Sequence, residues 1–338
     1  MLTQLLAHYV FNPLRHIILV LIAALRSSFP GGCQWDVDKM PDLQGVVAIV
    51  TGGNTGIGKE MCKALLKKNA KVYLAARDER KAFAAIKELE RKTGKTAHYL
   101  HLDLASLKSV RTSAGVFLSK EKTLHLLFNN AGVMLPSSDE PTVDGYDLTF
   151  GTNALAHFYL TRLLLPALFS AQEERKARVI NTTSFVHLLG SSFIGSGLEF
   201  DTFKDGPKRR RKGKLWLYGQ SKFANTIFAQ ELARRYGDKI LSFSINPGSV
   251  NTELARDAWF SLEWPILNRF ILTPAQGAIT QLWAGTEASI EEHNGAYLIP
   301  LAKFGEPRSN DPVLGRELWE WFEEQVKIFE GSDWVQAE

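Results

Sequence analysis

Thr51-Gly52-Gly53-Asn54-Thr55-Gly56-Ile57-Gly58, written TGGNTGIG, stands between a β-branched run at residues 46–50 and an amphipathic stretch at residues 57–69. Strand, glycine-rich turn and helix, in that order, are the context of a dinucleotide-binding loop. Glycines let the backbone turn tightly and approach a pyrophosphate, whose charge meets the positive end of the helix. Gly52, Asn54, Thr55, Gly56, Ile57 and Gly58 are therefore the expected phosphate-binding residues. Glycines at this density can also make a mere turn, so the flanking strand and helix carry the reading.

Outward from this loop, short β-branched runs alternate with helical stretches. Residues 71–75, 97–102, 124–128, 178–181, 240–245 and 296–299 read as strands, and residues 79–92, 157–168 and 218–236 as helices between them. Alternation at this spacing predicts parallel βαβ units and an α/β fold with a doubly wound parallel sheet, ligands lying at the carboxyl ends of its strands. With 338 residues, 45% of them hydrophobic, the chain can bury a sizeable core. The expected division is an N-terminal extension over residues 1–40 and one domain over residues 41–330. A terminal helix over residues 312–329 sets Leu314, Leu318, Trp321, Phe322 and Val326 on one face, a packing surface.

The second strand ends in Ala75-Ala76-Arg77-Asp78. An acidic residue at such a tip grips the ribose hydroxyls of NAD, whereas an arginine accommodates the 2′-phosphate of NADP. Arg77 comes first, which favours NADP(H) over NAD(H). Asp78 either faces the ribose or opens the next helix, where its charge suits the dipole. Further on, Tyr218-Gly219-Gln220-Ser221-Lys222 places a phenol and an amine four apart, on one face of a helix. Ahead of it, Arg178-Val179-Ile180-Asn181-Thr182-Thr183-Ser184 runs as a strand into hydroxyl residues at the end where ligands bind. Tyrosine and lysine at this spacing alone make an ordinary solvated helix face as readily; here they follow the hydroxyl-ended strand.

With these motifs in order, the chain resembles the short-chain dehydrogenase/reductase family, whose members have the Rossmann fold, over about residues 40–330. The matching stretches are TGGNTGIG at 51–58, Asp103-Leu104, Asn129-Asn130-Ala131-Gly132, Asn153, Ser184, YGQSK at 218–222 and Pro247-Gly248. FNNAGVM, DGYDLTFGTN and LYGQSKFAN carry a closer likeness to the retinol-dehydrogenase-like branch, especially fungal members related to light-induced alcohol dehydrogenases. The resemblance implies an NADP(H)-dependent oxidoreductase interconverting a ketone or aldehyde and an alcohol. Tyr218 would act as general acid in reduction and base in oxidation; Lys222 and the nicotinamide charge would lower its pKa. Lys222 would also hydrogen-bond the nicotinamide ribose. Ser184, chosen over the alternative Thr183 by its distance from Arg178, would polarise the substrate carbonyl. Asn153 would hold a water linking Lys222 to solvent. Asp103 and Leu104 would sit at the adenine, Asn130, Ala131 and Gly132 beneath the cofactor, and Pro247, Gly248, Val250 and Thr252 along the nicotinamide. No metal enters this chemistry.

Residues 253–274 hold Trp259, Phe260, Trp264, Ile266, Leu267, Phe270, Ile271 and Leu272. In the family this region is a substrate lid, and its composition points to an apolar small molecule of lipid, retinoid, terpenoid or polyketide character. The same side chains would equally pack on the sheet or against the second subunit of a homodimer. His187 reads as a surface or structural histidine. Between Ser184 and Tyr218 lies an insertion at residues 198–217, which this branch also tends to carry. Its basic run at residues 208–214 is either a solvated loop or an attraction for anionic lipid. At the N-terminus IILVLIAAL, residues 17–25, is too short to span a bilayer. It reads as an interfacial anchor, aided by Leu2, Leu5, Leu6, Tyr9 and Val10, or as a helix packed on the protein itself. Segment and basic run together would attach a cytoplasmic protein to the endoplasmic reticulum surface. A net charge of only +4 and no groove-reading motif argue against a nucleic-acid partner. The two cysteines, Cys33 and Cys62, are expected to be reduced. A rival reading keeps the fold and the cofactor without turnover, as a regulatory protein; the intact Asn153, Ser184, Tyr218 and Lys222 set speaks against it. Epimerisation or dehydration with bound cofactor is disfavoured, because such relatives carry a larger substrate domain.

Overall fold

Strand β1 (Val47–Thr51) is buried along its whole length, as a run of small and β-branched residues covered on both faces must be. In this computed structural model the described residues are 18, 21–23, 25–26, 28–136, 139–171, 175–188, 197–252 and 271–335. Around β1 stand β2 (Lys71–Ala76), β3 (His98–His101), β4 (Leu126–Asn129), β5 (Ala177–Thr182), β6 (Ile240–Ile245), β7 (Tyr297–Ile299) and β8 (Lys303–Phe304). They form one eight-stranded sheet in the order β3-β2-β1-β4-β5-β6-β7-β8. The first seven strands are parallel, and β8 pairs antiparallel with β7. The order reverses between β1 and β4, so the crevice outside their carboxyl ends is the expected ligand position. Register keeps those ends level: Thr51 pairs with Ala75, Asn129 with Asn181 and Thr182 with Ile245.

Helices α1 (Gly56–Lys67), α2 (Glu79–Thr93) and α6 (Pro274–Thr286) cover one face; α3 (Leu107–Lys120), α4 (Ala156–Phe169), α5 (Lys214–Tyr236) and α7 (Pro312–Val335) cover the other. The second layer is aromatic. Phe158 packs on Trp319 and Phe322, and Phe150 stacks on Phe203 with centroids 3.6 Å apart. Leu314, Leu318, Phe322 and Val326 are buried as their spacing implied, and Trp321 packs against the cluster. Two helix ends shift by four or more residues, and one strand is additional. β8 was not foreseen, since two residues show no periodicity; α5 starts four residues before Tyr218; α7 runs to Val335.

The N-terminal boundary also moves. Trp35, Met40 and Leu43 belong to the α1/α2/α6 core, and Trp35 Nε1 donates to Glu287 Oε2 at 3.0 Å. Packing of the domain therefore begins before residue 41. Ahead of it, Ile18, Leu21, Ile22 and Leu25 lie at helical spacing and are 40–58% exposed. Among the described residues no helix is long and apolar enough to cross a membrane. Cys33 is exposed, Cys62 buried, and both are free thiols.

The basic run is not a free cationic patch. Arg209 is buried, with Nε donating to Asp147 Oδ2 at 2.9 Å, Nη1 to Asp205 Oδ1 at 3.0 Å and Nη2 to Asp139 O at 2.7 Å. Lys208 pairs with Asp201, Arg210 with Asp205, Lys212 with Glu199 and Lys214 with Asp139. Acids at residues 139–147 and 199–205 thus pair with Lys208, Arg209, Arg210, Lys212 and Lys214.

Candidate active site

The turn after β1 closes on itself only because glycines form it. A Cβ on Gly58 would lie 2.2 Å from Gly52 O, inside van der Waals contact. Gly52 adopts a φ of +67° and sits against Ala131, where a Cβ would come within 3.2 Å. Thr55 caps α1 without any side-chain hydrogen bond, and no acidic residue stands in the helix's first turn. The N–H groups and positive dipole end of a twelve-residue helix are thus left to an anion. Thr252 comes to the same place from the far side: its Cγ2 would be 3.2 Å from a Cβ on Gly56. Val250 and Ile57 converge on Gly277 of α6, and Gly248, with a φ of +92°, receives Asn246 Oδ1 at its N–H. These features fit a nicotinamide dinucleotide laid across the switch point. Residues 51–58, 130–132 and 247–252 would hold it.

At the tip of β2 the two readings of Asp78 separate. Its side chain accepts from Lys81 N at 2.9 Å as the N-cap of α2, so the carboxylate is committed to the helix. Arg77 is 73% exposed, with Nη1 4.0 Å from Asp103 Oδ1. Asp103 accepts from Ala105 N at 3.0 Å, and Leu104 is buried beside it.

Beneath the crevice, Thr51 Oγ1 accepts from the N–H groups of Asn130 and Ala131, each at 2.9 Å. Asn130 Nδ2 donates to Thr51 O at 2.9 Å. Asn153 lies in a π-helical segment, Gly151–Leu155, a single widened turn of the kind that often marks a functional site. Its Oδ1 accepts from Val133 N at 2.8 Å, and its Nδ2 donates to Val133 O and to Ser221 Oγ, both at 3.0 Å. The amide expected to hold a relay water is therefore mostly spent on clamping the protein, with one Oδ1 lone pair left over. A Cβ on Gly132 would be 2.9 Å from that Oδ1 and 3.4 Å from Lys222 Nζ, which explains the glycine and places the three groups together.

Tyr218 and Lys222 lie one turn apart inside α5, both buried. Lys222 Nζ donates to Thr182 O at 3.0 Å and stands 5.7 Å from the Tyr218 ring centre. Of the adjacent hydroxyls, Ser184 is the one hydrogen-bonded to the Tyr218 side chain. Thr183 is turned away: its Oγ1 donates to Lys222 O at 2.6 Å and accepts from Thr226, pinning α5 to β5. Burial pushes the Tyr218 phenol up to about 12, with the Ser184 hydrogen bond pulling the other way. Burial likewise brings the Lys222 ammonium down to about 7. Among the described residues no group of His, Cys, Asp and Glu could hold a metal.

Sequence reading missed His157, which is fully enclosed with Nε2 3.0 Å from Thr51 Oγ1 and Nδ1 3.0 Å from Asn153 O. His187 is structural. Its Nδ1 lies 2.6 Å from Ser184 O, its Nε2 accepts from Arg308 N, and its ring meets Tyr297 edge-on. Of the lid side chains, only Ile271 and Leu272 fall within the described residues; Trp259, Phe260, Trp264, Ile266, Leu267 and Phe270 lie outside them.

Residues 46–195 match the family model for short chain dehydrogenase. A short-chain dehydrogenase/reductase of Armillaria gallica is 51% identical over 89% of this chain and 96% of its own length. Retinol dehydrogenase 12 of Mus musculus is 36% identical over 90% of this chain and 92% of its own. Among solved structures, a protein from Mycobacterium paratuberculosis superposes with a TM-score of 0.66 at 27% identity, covering 87% of this chain and 97% of that one. A short chain dehydrogenase from Shigella flexneri, solved with NADP, gives 0.60 at 25% identity, covering 77% and 99%. The chain belongs to the short-chain dehydrogenase/reductase family, in its retinol-dehydrogenase-like branch. It is an oxidoreductase that interconverts alcohols and carbonyls and binds a nicotinamide cofactor.

Proposed function

We propose that this chain is an NADP(H)-dependent reductase of apolar ketones or aldehydes, reversible toward the alcohol, with Tyr218 as the proton donor. The observation that carries this is Tyr218, buried beside Lys222 and hydrogen-bonded to the half-buried Ser184 that follows β5. Residues 51–58, 130–132 and 247–252 would hold NADPH across the switch point, where it would supply the hydride for the carbonyl carbon. Tyr218 gives its phenolic proton to the carbonyl oxygen, and Ser184 donates a hydrogen bond to that oxygen as charge builds on it. Burial separates the two titrations, which supports these roles. A phenol held near 12 stays protonated at neutral pH and serves as acid; an amine near 7 exchanges its proton there and can reload the phenolate. Thr182 O holds Lys222, and Asn153 ties the neighbouring Ser221 to Val133. NADPH consumption with a panel of apolar ketones and aldehydes tests the reading; tight NADPH binding without turnover on any of them favours the silent, regulatory alternative.

Arg77 supports NADP(H): it follows β2 directly, while the neighbouring carboxylate of Asp78 is occupied as a helix cap. Arg77→Ala should weaken NADPH binding about tenfold, the loss of one charge-assisted contact, and leave NADH binding unchanged. An unaltered ratio of the two affinities, measured by fluorescence titration, contradicts this assignment. Lipid, retinoid, terpenoid or polyketide character of the substrate is supported by the relatives named retinol dehydrogenase and by the apolar composition of residues 253–274.

Attachment to a membrane surface, on the cytoplasmic side of the endoplasmic reticulum, rests on the exposed stripe of Ile18, Leu21, Ile22, Leu25 and Phe29. The basic run, most of whose cations are paired with acids, is the lesser part of it. The intact chain should sediment with phospholipid vesicles and a chain lacking residues 1–29 should not; equal partitioning removes the proposal.

A further inference from the structure

His157 lies where β1, the loop after β4 and the π-helical segment before α4 meet, and the proposed chemistry gives it no part. Thr51 Oγ1 accepts from Asn130 N and Ala131 N, so both of its acceptor positions are filled. Its one proton points to Phe128 O, 3.2 Å away, or to His157 Nε2, 3.0 Å away. Across the ring, Nδ1 stands 3.0 Å from Asn153 O, an atom that can only accept. Nδ1 must therefore carry the ring proton, and Nε2 is the acceptor that Thr51 meets. The other tautomer would set two acceptors face to face and aim an N–H at a saturated hydroxyl. The hydrogen bonds thus run one way, from the amides of residues 130 and 131 through Thr51 and His157 to Asn153 O.

The Asn153 side chain then returns to Val133 through both ends of its amide. Residues 130–133 are gripped at one end by Thr51 and at the other by Asn153, with His157 joining the two grips. Gly132, between them, faces Lys222 Nζ. We infer that His157 is a positioning residue that locks the cofactor floor at residues 130–133 to Asn153, and thereby sets where Lys222 stands relative to the cofactor. This rests on the function proposed above.

The test uses the full chain with His157→Phe and His157→Gln. NADPH affinity is read by fluorescence titration, and steady-state turnover is normalised to folded protein by circular dichroism. His157→Phe should weaken NADPH binding and lower kcat, each by about tenfold or more, the scale on which misplaced reacting groups cost rate. KM for the carbonyl should not change, because the ring lies on the cofactor side. His157→Gln retains a donor and an acceptor and should recover most of both losses. A folded His157→Phe variant that matches the parent in affinity and kcat overturns the inference, as does a Gln variant no better than Phe. Should His157→Phe not fold, Thr51→Val against Thr51→Ser asks the same question from the other side of the junction, with the same pattern expected. A parent that binds NADPH but turns over no carbonyl defeats the enzymatic reading, while the affinity comparison still decides the role of His157.

Discussion

Tyr218→Phe is expected to lower NADPH-dependent carbonyl reduction by about a thousandfold, within the range general acid–base catalysis contributes, with NADPH affinity little changed. The substitution removes one oxygen and nothing else. Tyr218 is 4% exposed, so phenylalanine occupies the same volume and keeps the ring contact with Lys222. What disappears is the group that bonds Ser184 and gives the proton. Ser184 keeps Val186 N as a hydrogen-bond partner at 3.3 Å, so the turn after β5 is not stranded and the effect falls on kcat. The measurement is initial-rate kinetics over the panel for parent and variant, beside a fluorescence titration with NADPH. Equal turnover in the variant defeats the mechanism.

The parts of this site that were legible in sequence are those where chemistry restricts the residue type locally. The glycine loop is one, since a Cβ on Gly58 would strike Gly52 O; the turn of helix joining Tyr218 to Lys222 is another. Where a choice depended on side-chain direction, sequence left it open or guessed. Ser184 and Thr183 differ by one residue at the end of a strand, and only the fold shows which faces Tyr218 and which pins α5. Asp78 had two roles at one position until α2 was seen to use it as a cap. His157 was invisible for a different reason. Its partner Thr51, which gathers the amides of Asn130 and Ala131, is about 100 residues distant, and a lone histidine in an apolar helix carries no signal of a junction. The π-helical turn at Gly151–Leu155 likewise leaves no periodicity to read. The pairing of the basic run was not legible, because part of its acids arrive from residues 139–147.

Acid should begin to destabilise the chain before its carboxylates titrate, and two histidines set the window. Burial holds both His157 and His187 down at about 4, against about 6.5 in an unfolded chain. Above pH 6.5 each is neutral in both states and the fold loses nothing. As the pH falls below 6.5 the unfolded chain takes up protons that the folded chain refuses, so stability drops until the folded pKa is reached near 4. Each ring then costs about 3 kcal/mol, and the pair about 6 kcal/mol, much of the 5–15 kcal/mol that holds a typical domain together. Lys222 does not share this window. Its folded pKa near 7 lies below the ordinary lysine value, so its contribution declines as pH falls from about 10.5 to 7 and is constant below. The geometry explains why protonation is refused: a second ring proton would drive N–H at the filled Thr51 hydroxyl in His157, and at the Arg308 N–H in His187. Urea unfolding at pH 7, 6, 5 and 4.5 should therefore show a slope approaching about 3 kcal/mol per pH unit for the two rings together. Replacing both histidines with glutamine, which cannot protonate, should flatten that slope while lowering stability at pH 7. A slope unchanged by the double substitution would assign the acid sensitivity elsewhere, and a parent equally stable at pH 7 and 4.5 would mean that water reaches both rings.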